Sequence, residues 1–139
     1  MRAAQIGRMT HAHIEAHEDH LVIQLDRMNS VGALRRNLVV PYSTIVDAAV
    51  GDPKWPTLLG QRRVTTFVPG VRALGAFTEW SGRRRFLDIG RDTRSALKLR
   101  LDGHPEFDEV EVDATDAESA VAEIGRHRAD ALQRPPVLE

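Results

Sequence analysis

Histidine and carboxylate recur at every second position near the start of the chain: His11, His13, Glu15 and His17 in the stretch THAHIEAHED. On an extended strand alternate side chains share a face, so these four line up on one side, with Ala12, Ile14 and Ala16 behind them. A His-x-His pair on a strand is a metal-ligand geometry, because alternate imidazoles converge on one ion. The rise of a strand, about 3.3 Å per residue, works against a larger site, since His11 and His17 stand too far apart to share an ion. At most His11 with His13, or His13 with Glu15, chelates, and a third ligand must come from elsewhere. The wet face of a half-buried strand accounts for the same residues without a further partner, so the expectation is no metal.

A second concentration of chemistry is cationic. Arg83, Arg84 and Arg85 follow Ser81-Gly82, and Arg35, Arg36, Arg62 and Arg63 lie elsewhere. Such a cluster serves either as a site for phosphate or an anionic headgroup or as ordinary solubilising charge. If Ser81-Gly82 is a two-residue hairpin turn, Trp80 faces Arg83, Glu79 faces Arg84, Thr78 faces Arg85 and Phe77 faces Phe86. Arg84 then pairs with Glu79, and Arg83 or Arg85 stacks on Trp80. Those local partners favour the solubilising reading. Ser30, Ser43, Ser81, Ser95 and Ser119 sit in no G-x-S-x-G elbow. The chain has no P-loop and no dinucleotide fingerprint, and nothing selects an acid–base pair. Neither catalytic residues nor a cofactor are expected.

The elements that would carry these residues are mostly strands. AHIEAH and LVIQL alternate and form a hairpin across the turn EDH. Met28, Val31 and Leu34 recur at helical spacing, which reads as a short helical turn or a wide loop. LVVPYSTIVDAAV is β-branched, with Pro41 marking an edge or a bulge. GDPKWPTLLG is a loop, and RRVTTFV is a strand ended by Pro69-Gly70. SALKLRL turns Leu97, Leu99 and Leu101 inward and Lys98 and Arg100 outward. DEVEVD turns Val110 and Val112 inward. TDAESAVAEIGRHRADAL is an amphipathic helix with Ala117, Ala120, Val121, Ile124 and Leu132 as its stripe. Thr115 and Glu118 have the spacing of a capping box, and Gly125 marks a bend or an end. About seven strands and one C-terminal helix make a mainly β fold, a small barrel or sandwich capped by that helix.

Bulk composition agrees with one domain. The 139 residues are 42% hydrophobic and 28% charged, which are values of a globular chain rather than a disordered one. No apolar run is long enough to span a bilayer or to form the core of a signal peptide. No cysteine is present, so there is neither a disulfide framework nor thiolate chemistry, and a cytoplasmic location is the expectation. Lys54 and Lys98 are the only lysines; this reliance on arginine points to a bacterial source. The net charge of −1 conceals an asymmetry. Residues 1–101 hold sixteen basic and nine acidic side chains, net +7, and residues 102–139 hold three and eleven, net −8. An acidic end packed on a basic body explains this, and overall neutrality disfavours nucleic acid as a partner.

The order HLVIQL, LRRNLVVPYSTI, RVTTFVPG, GAFTEWSGRRRFLDI, ALKLRL and FDEVEVDATDAESAVAEI resembles the bacterial pleckstrin-homology-like domains, and most closely the sublancin-immunity-protein-like group. The likeness covers roughly residues 14–129 and rests on glycine and apolar patterns. It implies a partly open seven-stranded barrel closed by the helix, no catalytic residues, and binding of protein, peptide or membrane-associated partners. The lipid site of eukaryotic relatives lies between the first two strands, where this chain has the acidic EDH, so it does not carry over. The expected organisation is an N-terminal extension over 1–10, the domain over 11–132 and a flexible tail over 133–139. The expected function is a non-enzymatic binding or scaffold module for a protein or peptide, with self-association as one form; peripheral membrane contact stays open. The alternative is a small enzyme or ligand carrier using the barrel mouth. Tyr42, beside the proline-interrupted edge, and Trp55, on a proline-flanked loop, either line a contact patch or pack as lids. With Trp80, Arg83 and Arg85 they form the candidate partner surface.

Overall fold

The computed structural model describes residues 12–24, 37–56, 61–68 and 72–133. His11, the helical spacing of Met28, Val31 and Leu34, the Pro69-Gly70 strand end, the N-terminal extension and residues 134–139 lie outside them.

The alternating segments fold as read. β1 (His13–Ala16) and β2 (His20–Gln24) pair antiparallel, and β3 (Asn37–Pro41) adds to β2. Ile14, Leu21, Ile23, Leu38 and Val40 take the buried positions. Pro41 does more than interrupt an edge. It ends β3, a 3-10 turn follows at Tyr42–Thr44, and the chain re-enters a different sheet as β4 (Ile45–Gly51). A proline without an N–H cannot continue the ladder, so one β-branched run becomes two strands.

The second sheet adds β5 (Gln61–Val68), β6 (Arg72–Thr78), β7 (Arg84–Gly90), β8 (Ala96–Leu101) and β9 (Glu109–Asp113). Its order is β4-β8-β9-β7-β6-β5. β9 inserts between β8 and β7, antiparallel to the first and parallel to the second. Among the described residues there are thus nine strands in sheets of three and six, not seven, and the sheets do not close into a barrel. A single bridge, Ala12 to Ala114, links β1 to the end of β9, with Ala12 N–H donating to Asp113 O at 2.9 Å.

The two sheets and the helix α1 (Ala117–Gln133) enclose the main core. Leu97, Leu99, Leu101, Val110, Val112 and Phe86 of the large sheet meet Ile14, Ile23, Leu38 and Val40 of the small one, with Ala117, Ala120 and Ile124 of the helix. Burying each Leu, Ile or Val of this set contributes roughly 1.5–3 kcal/mol. The helix starts later than the capping-box spacing implies. Ala120 N–H donates to Asp116 O at 3.0 Å, so Asp116, not Thr115, is the residue before the first turn. The Asp116 carboxylate accepts from Ile14 N–H at 3.3 Å, tying helix to β1 instead of closing a local box. Gly125 does not end the helix, which runs on to Gln133.

Candidate functional site

The β6–β7 hairpin sets the geometry of the arginine cluster. The strands pair as Thr78 with Arg84, Phe77 with Arg85 and Ala76 with Phe86. That is one residue out of the register expected for a Ser81-Gly82 turn. Glu79 N–H donates to Arg83 O at 2.9 Å, and Gly82 N–H donates to Glu79 O at 2.8 Å. The loop is therefore three residues, Trp80-Ser81-Gly82, with Gly82 at φ +91°. This is a tight turn followed by a left-handed glycine, the second commonest hairpin connection. A slip of one residue exchanges the faces of a strand, and every expected pair changes with it.

Arg84 does not meet Glu79. Its guanidinium donates to Asp108 Oδ1 at 3.1 Å and to the Pro105 carbonyl at 3.0 Å, while its own N–H donates to Asp108 Oδ2 at 2.8 Å. The hydrogen bonds from Arg84 hold the Asp108 carboxyl below the usual carboxylate range, against an opposing effect of partial burial. The same pairing raises Arg84. Arg83 is half exposed and donates to Glu109 Oε2 at 2.8 Å. Trp80 stacks on neither and stands 75% exposed at the loop tip.

Arg85 turns inward instead. It is fully buried on the large sheet's outer face, the face away from the helix. Glu79, Glu109 and Glu111 lie 3.4, 3.2 and 3.4 Å from its nitrogens. Its Nε makes no hydrogen bond of good geometry. Along this face, register sets Asp47 beside Arg100, Arg100 beside Glu109 and Glu109 beside Arg85. Cross-strand neighbours of opposite charge stabilise such a ladder. Lys98 and Arg100 thus point outward as expected, and the outer face becomes a row of alternating charge.

The remaining candidates scatter. Tyr42 is 9% exposed, a core residue whose hydroxyl donates to the His17 carbonyl at 2.9 Å and whose ring stacks on His127 at 4.2 Å. Burial, and secondarily Asp19, raise its phenol above the ordinary value. Trp55 is partly buried against Ala73, Phe77, Leu87 and Ile89, a small second core on the outer face. It packs as a lid. Of the five residues read as a partner surface, Tyr42 and Arg85 are interior, Trp55 is a cover, and Trp80 and Arg83 alone share the hairpin tip.

Beside that tip lies an open groove of about 590 Å³ lined by Val46, Ser81, Gly82, Arg83, Arg100, Leu101, Asp102 and Asp108. Three large apolar side chains are exposed among the described residues: Val39, Val46 and Trp80. Val46 lines this groove and Trp80 adjoins Ser81 on its rim. A bulge between Ile45 and Asp47 in β4 locates Val46 there. The Arg100 guanidinium, beside Asp47 and Glu109 in register, makes no hydrogen bond or close ion pair among the described residues. The groove offers an exposed valine and the Arg100 guanidinium in a mainly polar lining, with Trp80 next to its rim in sequence. β4 was read from its β-branched run, but no sequence signal located its bulge.

The histidine row resolves into separate pairs. His13 Nδ1 lies 3.6 Å from Asp116, His17 meets Glu15 at 3.1 Å and His20 meets Asp19 at 2.5 Å. The hydrogen bond to His20 holds Asp19 below its ordinary value. No three of the described His, Asp and Glu side chains converge on a common point. A histidine that sequence reading passed over is more tightly engaged. His104, in the GHP turn, is 5% exposed. Its Nδ1 accepts from Glu106 N–H at 3.0 Å and Phe107 N–H at 3.2 Å, which leaves Nε2–H to donate to the Val39 carbonyl at 3.0 Å.

Comparison with protein-family models, with curated proteins and with solved structures finds no match to this chain. No helix among the described residues is long and apolar enough to cross a membrane.

Proposed function

We propose that this chain is a non-enzymatic binding module that grips a protein or peptide with the tip of the β6–β7 hairpin and the groove behind it. The carrying observation is Trp80, 75% exposed next to a groove that also holds Val46 and the unpaired Arg100. Tryptophan and arginine dominate the energetics of protein interfaces, because they combine large contact area with directional polar groups. An apolar ring left in water has an unfavourable hydration that a partner removes.

The neighbouring charges support binding over catalysis. Asp108 is committed to Arg84 and Glu109 to Arg83 and Arg85, which fixes the groove wall. Kinship with pleckstrin-homology-like domains is part of the same reading. A strand-rich chain finished by one helix supports it, and the two open sheets are where this protein departs from a barrel. The cytoplasm of a bacterium is the proposed setting.

Affinity capture from a lysate of the source organism tests the reading. Wild type retains a protein that the Trp80→Ala and Arg100→Glu variants each lose by tenfold or more, while both variants keep the wild-type melting temperature. Equal recovery by all three proteins contradicts it. Light scattering separates a foreign partner from a second copy: self-association through this tip gives a dimer that Trp80→Ala dissolves.

A further inference from the structure

β4 is one edge of the large sheet. Which of its backbone groups face outward follows from the strands beside it. Leu101 N–H donates to the Asp108 carbonyl at 2.8 Å, on the β9 side of β8. Bonding direction alternates residue by residue along an antiparallel strand, so Leu97, Leu99 and Leu101 bond toward β9, and Lys98 and Arg100 toward β4. Their register partners Ala49 and Asp47 bond back to β8. The N–H and C=O of Ala48 and Val50 therefore point away from the sheet. Among the described residues nothing bonds those groups.

The open stretch has defined ends. At Val46 the strand bulges, and the Arg128 guanidinium donates to the Val46 carbonyl at 3.1 Å. Beyond Gly51 the chain turns inward over the outer face. There Lys98 Nζ donates to the Asp52 carbonyl at 2.9 Å, and Lys54 N–H donates to Glu111 at 2.7 Å. Edge strands are commonly protected by lysine, proline or a bulge. Residues 47–51 contain none of these, and Asp47 is their one charge. The midpoint of the stretch is Ala49, which is exposed.

A second copy of this chain fits that stretch. A two-fold axis through Ala49, normal to the sheet, sets Ala48 opposite Val50 of the second copy and Val50 opposite its Ala48. Each of these pairs exchanges both N–H···O=C bonds. Their side chains, partly buried against the main core, lose further contact with water. Ala49 faces its own copy as a non-hydrogen-bonded pair, with Cα atoms about 4.5 Å apart, where a small side chain fits. Asp47 lands opposite Gly51 of the second copy. Lys98 leans over Gly51, since a Cβ built on that glycine would meet Lys98 Cδ at 3.8 Å. Each Asp47 carboxylate thus approaches Lys98 of the other copy. Neither Asp47 nor Lys98 has an ion-pair partner among the described residues. Opposite charges facing across strands stabilise a sheet and like charges oppose it, and this register never sets Asp47 against itself. The placement of charge thus favours a second copy over an unrelated strand.

We propose that the chain forms a two-fold dimer by antiparallel pairing of β4 with β4 of a second copy, joining the two large sheets edge to edge. Main-chain bonds across a sheet edge supply affinity, and the flanking side chains supply specificity. This edge is separate from the tip of the hairpin, and neither proposal depends on the other.

Sedimentation velocity over a rising concentration series reads the association, and a single introduced cysteine reads the register, because the chain has none of its own. Wild type shifts from monomer to dimer, and Trp80→Ala does the same. Ala49→Lys sets like charges face to face on the axis at an exposed position, so it stays monomeric while keeping the wild-type melting temperature. Ala49→Cys forms a disulfide-linked dimer under mild oxidation, since the expected Cα separation lies in the range that a disulfide spans. Ser119→Cys, on the exposed side of the helix, does not. The proposal is overturned if wild type is monomeric at every concentration, if Ala49→Lys dimerises as wild type does, or if the two cysteine variants crosslink equally. A dimer that Trp80→Ala dissolves belongs to the hairpin tip and also overturns it. Should Ala49→Lys lose cooperative melting, the two crosslinking yields decide alone.

Discussion

His104 shows how much a single side chain can hold in a molecule with open sheets. Its ring joins the β8–β9 turn to the outer edge of β3 through three backbone partners. Replacing His104 with Ala removes three hydrogen bonds at once, of which that from Phe107 N–H is buried. The expected loss is about 2–4 kcal/mol, read as a lower urea midpoint at unchanged slope. His104→Asn keeps an acceptor near the position of Nδ1 and costs less; equal midpoints for Ala and wild type would remove the clasp from the account. Asp108 gives a prediction in pH. Arg84 depresses its carboxyl in the folded state, so folded protein binds that proton more weakly than unfolded chain does. Its contribution is complete above the unfolded carboxylate value of about 3.9 and is lost as pH falls through the lower folded value. Asp108→Asn therefore lowers stability at pH 7 by about 1 kcal/mol, a size set by screening of a one-third exposed pair. The difference from wild type shrinks below pH 4. A gap that stays constant from pH 7 to pH 3 would mean that the pair does not act through charge. Neither residue advertised its role. GHP read as a plain turn, and arginine in an alternating strand read as surface, because burial of Arg85 depends on three glutamates brought from β9 and the hairpin.

At the scale of elements, the strands were legible wherever one face is apolar. Leu21 and Ile23, then Leu97, Leu99 and Leu101, then Val110 and Val112 are buried as their alternation marks, since period two maps directly onto the faces of a sheet. The hairpin was legible in place but not in register. SG serves as a two-residue turn or as the end of a three-residue one, and the choice moves every cross-strand pair by one. The helix was legible as a stripe but not at its start, because Asp116 is recruited by Ile14 N–H on a strand about a hundred residues earlier. Its glycine was overread. An alanine Cβ at Gly125 meets nothing within 4 Å, and the site is exposed. Helix propensity then governs: Gly125→Ala stabilises by roughly 0.5–1 kcal/mol and raises the melting temperature by about 2–4 °C. A lower melting temperature in a scanning calorimeter would show that the helix needs flexibility at that point.

The whole molecule is where sequence reading stopped short. Local patterns cannot announce that β9 enters between β8 and β7, or that β4 and β5 end on opposite edges. Those facts are long-range pairings, and they turn an expected barrel into two open sheets. Open sheets leave edges that recruit partners unless guarded. His104 guards β3 at Val39, Arg128 guards β4 at Val46 with a bond of 3.1 Å, and the Asp113 carbonyl and the Asp116 carboxylate accept from Ala12 N–H and from Ile14 N–H of β1. The exposed Trp80 tip, with the largest exposed apolar side chain among the described residues, is the surface on which the proposed function rests. Site-specific photo-crosslinking in the source organism tests this most directly. A photoreactive phenylalanine is placed at Ser81, beside the groove, and separately at Ser119, on the exposed side of the helix. The account predicts one discrete higher-mass adduct from position 81, lost when Trp80→Ala is added, and none from position 119. Adducts of equal yield from both positions, or an adduct at 81 indifferent to Trp80, would contradict it.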